Sequence, residues 1–230
     1  MRPPLQQRFT QLLRDNRGLL TFFALMLMFR ASYADWLVVP TGSMNPTIIE
    51  GDYIFANKHA YGWRIPFTDV RLTDGEDPQR GEIAIFDSPK DGTRLVKRVV
   101  GVPGDMIAMQ DEVLYINGQR LDYLPRDAAT DILNATQQAQ PQFITEQLGN
   151  TAHAVMLLPT RDALRNFGPI TIPDGQYLML GDNRDNSADS RYFGLVPRKL
   201  FVGRAHHVLA SFNPERYYLP RLNRLWQPLT

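Results

Sequence analysis

Three groups of residues in this 230-residue chain have the types and spacing to do chemistry. The first is Pro40-Thr41-Gly42-Ser43-Met44-Asn45-Pro46-Thr47. Gly42 removes bulk beside Ser43 and Pro46 keeps a helix from starting, so the pattern reads as a tight turn presenting one hydroxyl. A serine hydroxyl is a weak nucleophile at neutral pH and needs a base within reach. A Ser in a Gly/Pro turn also serves the turn itself, by bonding nearby backbone. Its company has to decide between the two.

The second group centres on Lys97. If residues 94–100 are extended, Leu95, Lys97 and Val99 share one face, and Arg94, Val96, Arg98 and Val100 share the other. Lys97 then lies between two apolar neighbours. Taking an ammonium out of water lowers its pKa, and a neutral lysine can accept a serine's proton. Left in water, the same lysine is an ordinary strand residue. Arg98 is too basic for the task and is expected to be a solvent-facing or ion-pair group.

The third group is the polar run from Gly181 to Gly194, Gly-Asp-Asn-Arg-Asp-Asn-Ser-Ala-Asp-Ser-Arg-Tyr-Phe-Gly. A calcium loop fails on its own spacing: Arg184 falls on a ligand position and the central Gly is missing. What remains is a surface turn, or a rigid loop in which Asp pairs with Arg while Ser and Asn bond backbone. Such a loop could hold a lysine amine through a serine hydroxyl.

Composition narrows the chemistry. Basic and acidic residues nearly cancel, 25 against 24, which argues against binding nucleic acid by bulk charge. The chain has no cysteine, which excludes disulfides, thiolate zinc sites and cysteine nucleophiles together. Histidine occurs four times, at His59, His153, His206 and His207. His59 is a rival base for Ser43 if a hairpin folds it back; otherwise it is a loop histidine beside Lys58.

The elements that must position these groups are mainly β. Short apolar runs at Asp52 to Ala56, Glu82 to Phe86, Arg94 to Val100, Gln176 to Leu180 and Lys199 to Leu209 read as strands set off by turns. Val113 to Ile116 followed by Asn117-Gly118 is a hairpin signal. Residues 119–168 are less readable, and Ala128 to Gln140 is taken as an insertion of weak local order. The aromatic and basic C-terminal stretch, Arg216 to Trp226, reads as a membrane-surface patch or a frayed tail.

Before the serine lies an apolar run, Leu19 to Phe29, preceded by Arg2, Arg8, Arg14 and Arg17. Eleven residues fall short of the about 20 of a membrane span, but a helix continued to Val39 past a snorkelling Arg30 would suffice. A buried helix and a cleaved signal peptide, with Ala31-Ser32-Tyr33-Ala34 at the cut, are the other readings. The anchor is favoured. Arginines ahead of it put the N-terminus in the cytoplasm, the rest outside, and Ser43 a few residues beyond the membrane.

Taken together, Gly-Ser-Met-Asn-Pro-Thr, Lys-Arg-Val-Val-Gly-Val-Pro-Gly-Asp and Gly-Asp-Asn-Arg-Asp-Asn-Ser-Ala-Asp-Ser-Arg, in that order, closely resemble the type I signal peptidases. These are membrane-anchored Ser/Lys endopeptidases that remove signal peptides from exported proteins. The resemblance covers the anchor, Pro40 to Gly62, Arg80 to Phe86, Lys97 to Asp105 and Gly181 to Pro197, and is thin over 119–168. It implies the mainly β fold of signal peptidases and LexA-like repressors on one N-terminal transmembrane helix. The expected organisation is a tail over 1–17, an anchor over 18–39, a catalytic core over 40–105 and 170–230, and an inserted smaller subdomain, β-rich or irregular, over 106–169.

The resemblance also implies roles. Ser43 is the nucleophile and Lys97 the general base; Ser187 orients the lysine amine; Asp189 and Arg191 are a structural ion pair, with Asp182 in the supporting network. The oxyanion hole is the Ser43 N–H and the hydroxyl of Thr41, where many members have Ser. No metal or cofactor is implied. The implied partners are preproteins cut after Ala-X-Ala and the lipid bilayer, with no nucleic acid, for a monomer at the outer face of a bacterial cytoplasmic membrane. Rival readings are a conjugation-type pilin-maturing peptidase or self-cleaving repressor, a catalytically silent membrane-tethered peptide-binding β-domain, and a histidine-dependent hydrolase using His59.

Overall fold

A computed structural model describes residues 11, 13–32, 34–63, 72–127 and 140–229. The tail expected over 1–17 lies mostly outside these residues, as does nearly all of the polar stretch from Ala128 to Gln140. Helix α1 (Arg17–Ser32) is built from Leu, Phe, Met and Ala, with no proline to interrupt it. Leu19, Leu20, Phe22, Phe23, Leu25, Met26 and Leu27 are all exposed.

The helix is followed directly by strand β1 (Ala34–Val38), which pairs antiparallel with β2 (Asp52–Asn57) from Ala34↔Asn57 to Val38↔Tyr53. This corrects the helix expected to run on to Val39. Trp36 and Val38 favour a pleated surface, and β2 offers a ladder that a lengthened helix would forgo. The 16-residue helix is correspondingly short, and among the described residues none is long and apolar enough to cross a membrane.

Next come β3 (Ile83–Asp87), β4 (Arg94–Gly101), β5 (Met106–Gln110), β6 (Val113–Ile116), β7 (Gln119–Arg120) and β8 (Tyr123–Pro125). The hairpin β9 (Gln142–Leu148) and β10 (Thr151–Leu157) follows, with β11 (Phe167–Thr171) and β12 (Gln176–Leu180) behind it. A short helix α2 (Ser190–Phe193), β13 (Val196–Pro197), the long β14 (Phe201–Asn213), β15 (Leu219–Pro220) and β16 (Gln227–Pro228) complete the chain. The protein is mainly β. Its largest sheet runs β1-β2-β14-β3-β4-β12-β13, with β15 and β16 also on β14. Strands β11-β5-β6-β7 form a second sheet and β10-β9-β8 a third.

The large sheet is covered on both faces. Met44, Ile48, Ile54, Ile85 and Val208 pack in one cluster, and Phe86, Val99, Tyr177, Met179 and Phe201 in another. Strand β3 therefore buries Ile83, Ala84, Ile85 and Phe86 in succession, the continuous apolar run of a strand with no wet face. A third cluster, with Val100, Ile107, Leu114, Leu178 and Leu180, joins β4 and β12 to the second sheet. The Asn117-Gly118 turn forms as expected. Both residues adopt positive φ, 54° and 80°, and Ile116 faces Gln119 across it.

Two expectations change. The described residues of 119–168 hold the paired strands β7, β8, β9 and β10 and the start of β11, with β9 and β10 zipped together from Leu157↔Gln142 to Thr151↔Leu148. The C-terminal stretch is not frayed either. β15 and β16 add to β14, and the buried Arg224 guanidinium donates to both Asp52 carboxylate oxygens, at 3.1 and 2.6 Å. A buried charge pair of this kind holds a chain end that composition alone leaves loose.

Candidate active site

Between β1 and β2 the chain turns through a short 3-10 segment, Gly42–Met44. The Asn45 N–H donates to Gly42 O at 3.1 Å and the Ile48 N–H to Met44 O at 3.0 Å. Met44 and Ile48 are buried in the core beside it. With apolar anchors after it and a buried glycine before it, Ser43 is held half-exposed on a fixed turn.

Lys97 lies in the middle of β4, opposite Ala84 of β3. Its Nζ is 2.6 Å from Ser43 Oγ and 3.1 Å from Val96 O. Only 3% of the residue is exposed. Burial pulls the amine down from its ordinary range to about 8, while the nearby Asp189 and Asp182 carboxylates limit the fall. An amine and a hydroxyl at this separation form one hydrogen bond through which a proton can pass. The fold thus brings together two residues that lie 54 positions apart in the chain.

Arg98, the next residue, is buried with 0% exposure rather than turned to solvent. The sheet's second covered face is the reason. Alternation assigns neighbours to opposite faces, and here neither face is wet. Arg98 pairs with Asp182 in a fork of two bonds, 2.8 and 2.7 Å, and donates to Gly81 O at 2.7 Å. Burial alone would raise the Asp182 carboxyl, but the Arg98 charge and hydrogen bonds hold it below the usual range. Thr47 Oγ1 donates to Asp182 as well, at 2.5 Å, and ties the Ser43 turn to the loop after β12.

That loop meets the Ser43 turn through backbone too. The Asn183 N–H donates to Ser43 O at 3.2 Å, and Asn183 Nδ2 donates to Gly42 O at 2.9 Å. Asp189 and Arg191 form the second fork, both bonds 2.8 Å, and Asp189 accepts the Gly181 N–H at 3.1 Å. Arg191 also donates to Arg184 O. Gly181 has no room for a side chain: a Cβ there would come within 2.2 Å of Ser187 Oγ and 2.5 Å of Ser43 O.

Ser187 is therefore brought against Gly181, beside the Ser43 turn, and its buried Oγ has no hydrogen-bond partner among the described residues. Its expected bond to Lys97 is not among the contacts formed. Thr41 is exposed at the head of the turn, its hydroxyl taking no part in capping the 3-10 segment. His59 lies in the turn after β2 with its ring 4.1 Å from that of Trp63, and the group on the Ser43 hydroxyl is Lys97. Sequence reasoning missed Asn183, Thr47, Glu146 and His153. Thr47 stood in the quoted motif without a role, and nothing in the sequence around Glu146 and His153 marks them.

Residues 15–210 match the family described as signal peptidase, peptidase S26. The chain belongs to this family. The signal peptidase I of Pseudomonas fluorescens is 35% identical over 214 residues, covering 87% of this chain and 74% of that one. The signal peptidase I of Rickettsia typhi is 35% identical over 206 residues, covering 80% and 75%. A crystal structure of a signal peptidase I from Enterococcus faecalis V583 is 32% identical with a TM-score of 0.34, covering 56% of this chain and 97% of that one. As a member of the signal peptidase family the chain is a serine endopeptidase.

Proposed function

We propose that this chain removes signal peptides from exported preproteins by a Ser43–Lys97 dyad. The observation that carries the reading is the 2.6 Å contact between a half-exposed hydroxyl and an amine whose burial leaves it partly neutral near pH 8. Neutral Lys97 takes the Ser43 proton as the oxygen attacks the scissile carbonyl. The resulting oxyanion is received by the Ser43 N–H and the exposed Thr41 hydroxyl, a donor whose loss costs about 10²–10³ in rate. Protonated Lys97 then gives its proton to the leaving amine, freeing the mature N-terminus and leaving an acyl-serine. Neutral again, Lys97 takes a proton from water as the water oxygen attacks the acyl carbon, and returns that proton to Ser43 Oγ as the ester bond breaks and the signal peptide leaves with a new carboxyl end. To Ser187, whose buried Oγ has no partner among the described residues, we assign the role of orienting the amine.

The substrate enters extended, with small side chains in the Ala-X-Ala pattern before the cut. β1 supports this mode, because it is the end strand of its sheet and leads straight into the Ser43 turn. The exposed apolar face of α1 favours lipid over water as its surroundings, with the arginines ahead of it on the cytoplasmic side. Only β1 separates that helix from Ser43, which would hold the site at the outer membrane surface, where a signal peptide's cleavage site emerges. Confinement of enzyme and substrate to one plane raises their effective concentration.

Processing of a purified Ala-X-Ala preprotein in vesicles tests the proposal. Ser43→Ala, Lys97→Ala and Lys97→Arg should each abolish cleavage, the last because a guanidinium keeps its proton. An acylating penem should label wild-type Ser43 and nothing in Ser43→Ala. Wild-type cleavage by Lys97→Arg, or a failure of the penem to label, would overturn the dyad.

A further inference from the structure

The loop that braces Ser43 is itself braced from the β9–β10 hairpin. The Met156 N–H donates to Asp182 O at 2.8 Å, and the Leu158 N–H donates to Asp185 Oδ2 at 2.7 Å. Between these two ties, Arg184 turns its guanidinium into the hairpin, where Nη2 lies 2.6 Å from Glu146 Oε1. Arg184 and Glu146 are both buried, at 1% and 0% exposure. Among the described residues Arg184 Nε and Nη1 have no hydrogen-bond partner, so the Glu146 carboxylate carries the pairing of this cation.

Glu146 is fixed from its other side. Tyr123 OH donates to Oε2 at 2.7 Å, and His153, directly opposite on β10, has its Nε2 3.4 Å from Oε1 and 3.8 Å from Asp182 Oδ1. Burial, with the Arg98 charge, drives the His153 ring down to about 4, so it is neutral at working pH and leaves Arg184 to Glu146. From Arg184 the connection continues inward. Its carbonyl accepts from Arg191, Arg191 grips Asp189, and Asp189 takes the Gly181 N–H behind Ser43. Asp189 and Asp182 are the carboxylates whose charge reaches Lys97.

We propose that Glu146 is a positioning residue for the hydrolytic site: by pairing Arg184 it fixes the 181–189 loop and the two carboxylates that face Lys97. The inserted hairpin is then part of the catalytic apparatus rather than an appendage. This rests on the Ser43–Lys97 reading. Without the Glu146 charge, Arg184 is an unpaired buried cation beside Asp182, and it turns toward that carboxylate. The loop shifts, and Lys97 feels less negative potential, which favours its neutral form.

The test is the pH dependence of kcat and KM for an Ala-X-Ala peptide, expressed per serine acylated by penem so that misfolded protein is not counted. Glu146→Gln should lower kcat by roughly 10- to 100-fold, as a small displacement of reacting groups does, with KM little changed. Its alkaline-rising limb should move to lower pH, and adding Arg184→Gln should return the limb toward the wild-type position. An unchanged kcat, or a loss with the limb in place and no response to Arg184→Gln, would overturn the proposal. Should Glu146→Gln yield no folded protein, Tyr123→Phe strips one bond from the carboxylate. It should lower kcat several-fold, and a wild-type kcat would again count against the role. Failure of the dyad is read separately: Ser43→Ala would then still cleave.

Discussion

Arg98 and Asp182 form a two-pronged ion pair with both side chains 1% exposed, one residue away from Lys97 on β4 and from Gly181 after β12. Two neighbouring cations on one strand thus meet opposite fates. Arg98 is given a carboxylate of its own and stays charged. Lys97 is given a hydroxyl and a carbonyl, and is pushed toward neutrality.

The first prediction concerns that pair. Arg98→Ala leaves the Asp182 carboxylate buried with the Thr47 hydroxyl still donating to it but no opposing fork, and should destabilise the fold by roughly 3–5 kcal/mol. Arg98→Met with Asp182→Leu should restore much of that stability while remaining inactive, because Thr47 loses its acceptor. Urea unfolding of the three proteins checks both statements.

Gly181 yields the second. In Gly181→Ala the new methyl meets the Ser43 carbonyl and the Ser187 side chain at 2.5 Å or less. Backbone cannot rotate away, so the turn must shift. Penem acylation and peptide cleavage should fall by about 10²-fold, the effect of a small misplacement. The thermal midpoint should fall far less than a lost core side chain would lower it.

The third is a stability gain from an inactivating change. Because the folded pKa of Lys97 is about 8 against an ordinary 10.5, the buried ammonium burdens the native state by about 3 kcal/mol below pH 8. The unfolded chain binds more protons between these values, so the burden fades as pH rises from 8 to 10.5. Lys97→Met should therefore stabilise the protein near neutral pH, and its advantage should shrink through that window. Denaturant titrations at several pH values measure it.

Much of the site could be read in the sequence because its chemistry sits in short local motifs. Ser43 stands in a Gly/Pro turn, Lys97 between apolar neighbours, and Asp182, Ser187, Asp189 and Arg191 in a dense polar run, but only the family resemblance of the three motifs together gave them roles. The strands at 52–57, 83–87 and 176–180 declared themselves by apolar runs between turns. Arg98 was harder, since alternation tells which face a residue takes and not whether that face is covered. Glu146 and His153 were harder still. They put polar groups on buried strand positions and so erase the pattern that would reveal β9 and β10, and the partners that justify them are 38 and 29 residues away in Arg184 and Asp182. The Arg224–Asp52 pair spans 172 residues and left the C-terminal strands without a local signal.

The pH dependence of kcat/KM for a short Ala-X-Ala peptide reads the state of the Lys97 amine itself. The neutral amine is the active form, so the rate should climb with pH and reach half its plateau near 8, the value burial gives Lys97. A limb near 10.5, where an ordinary lysine titrates, would mean that the amine beside Ser43 is not the base.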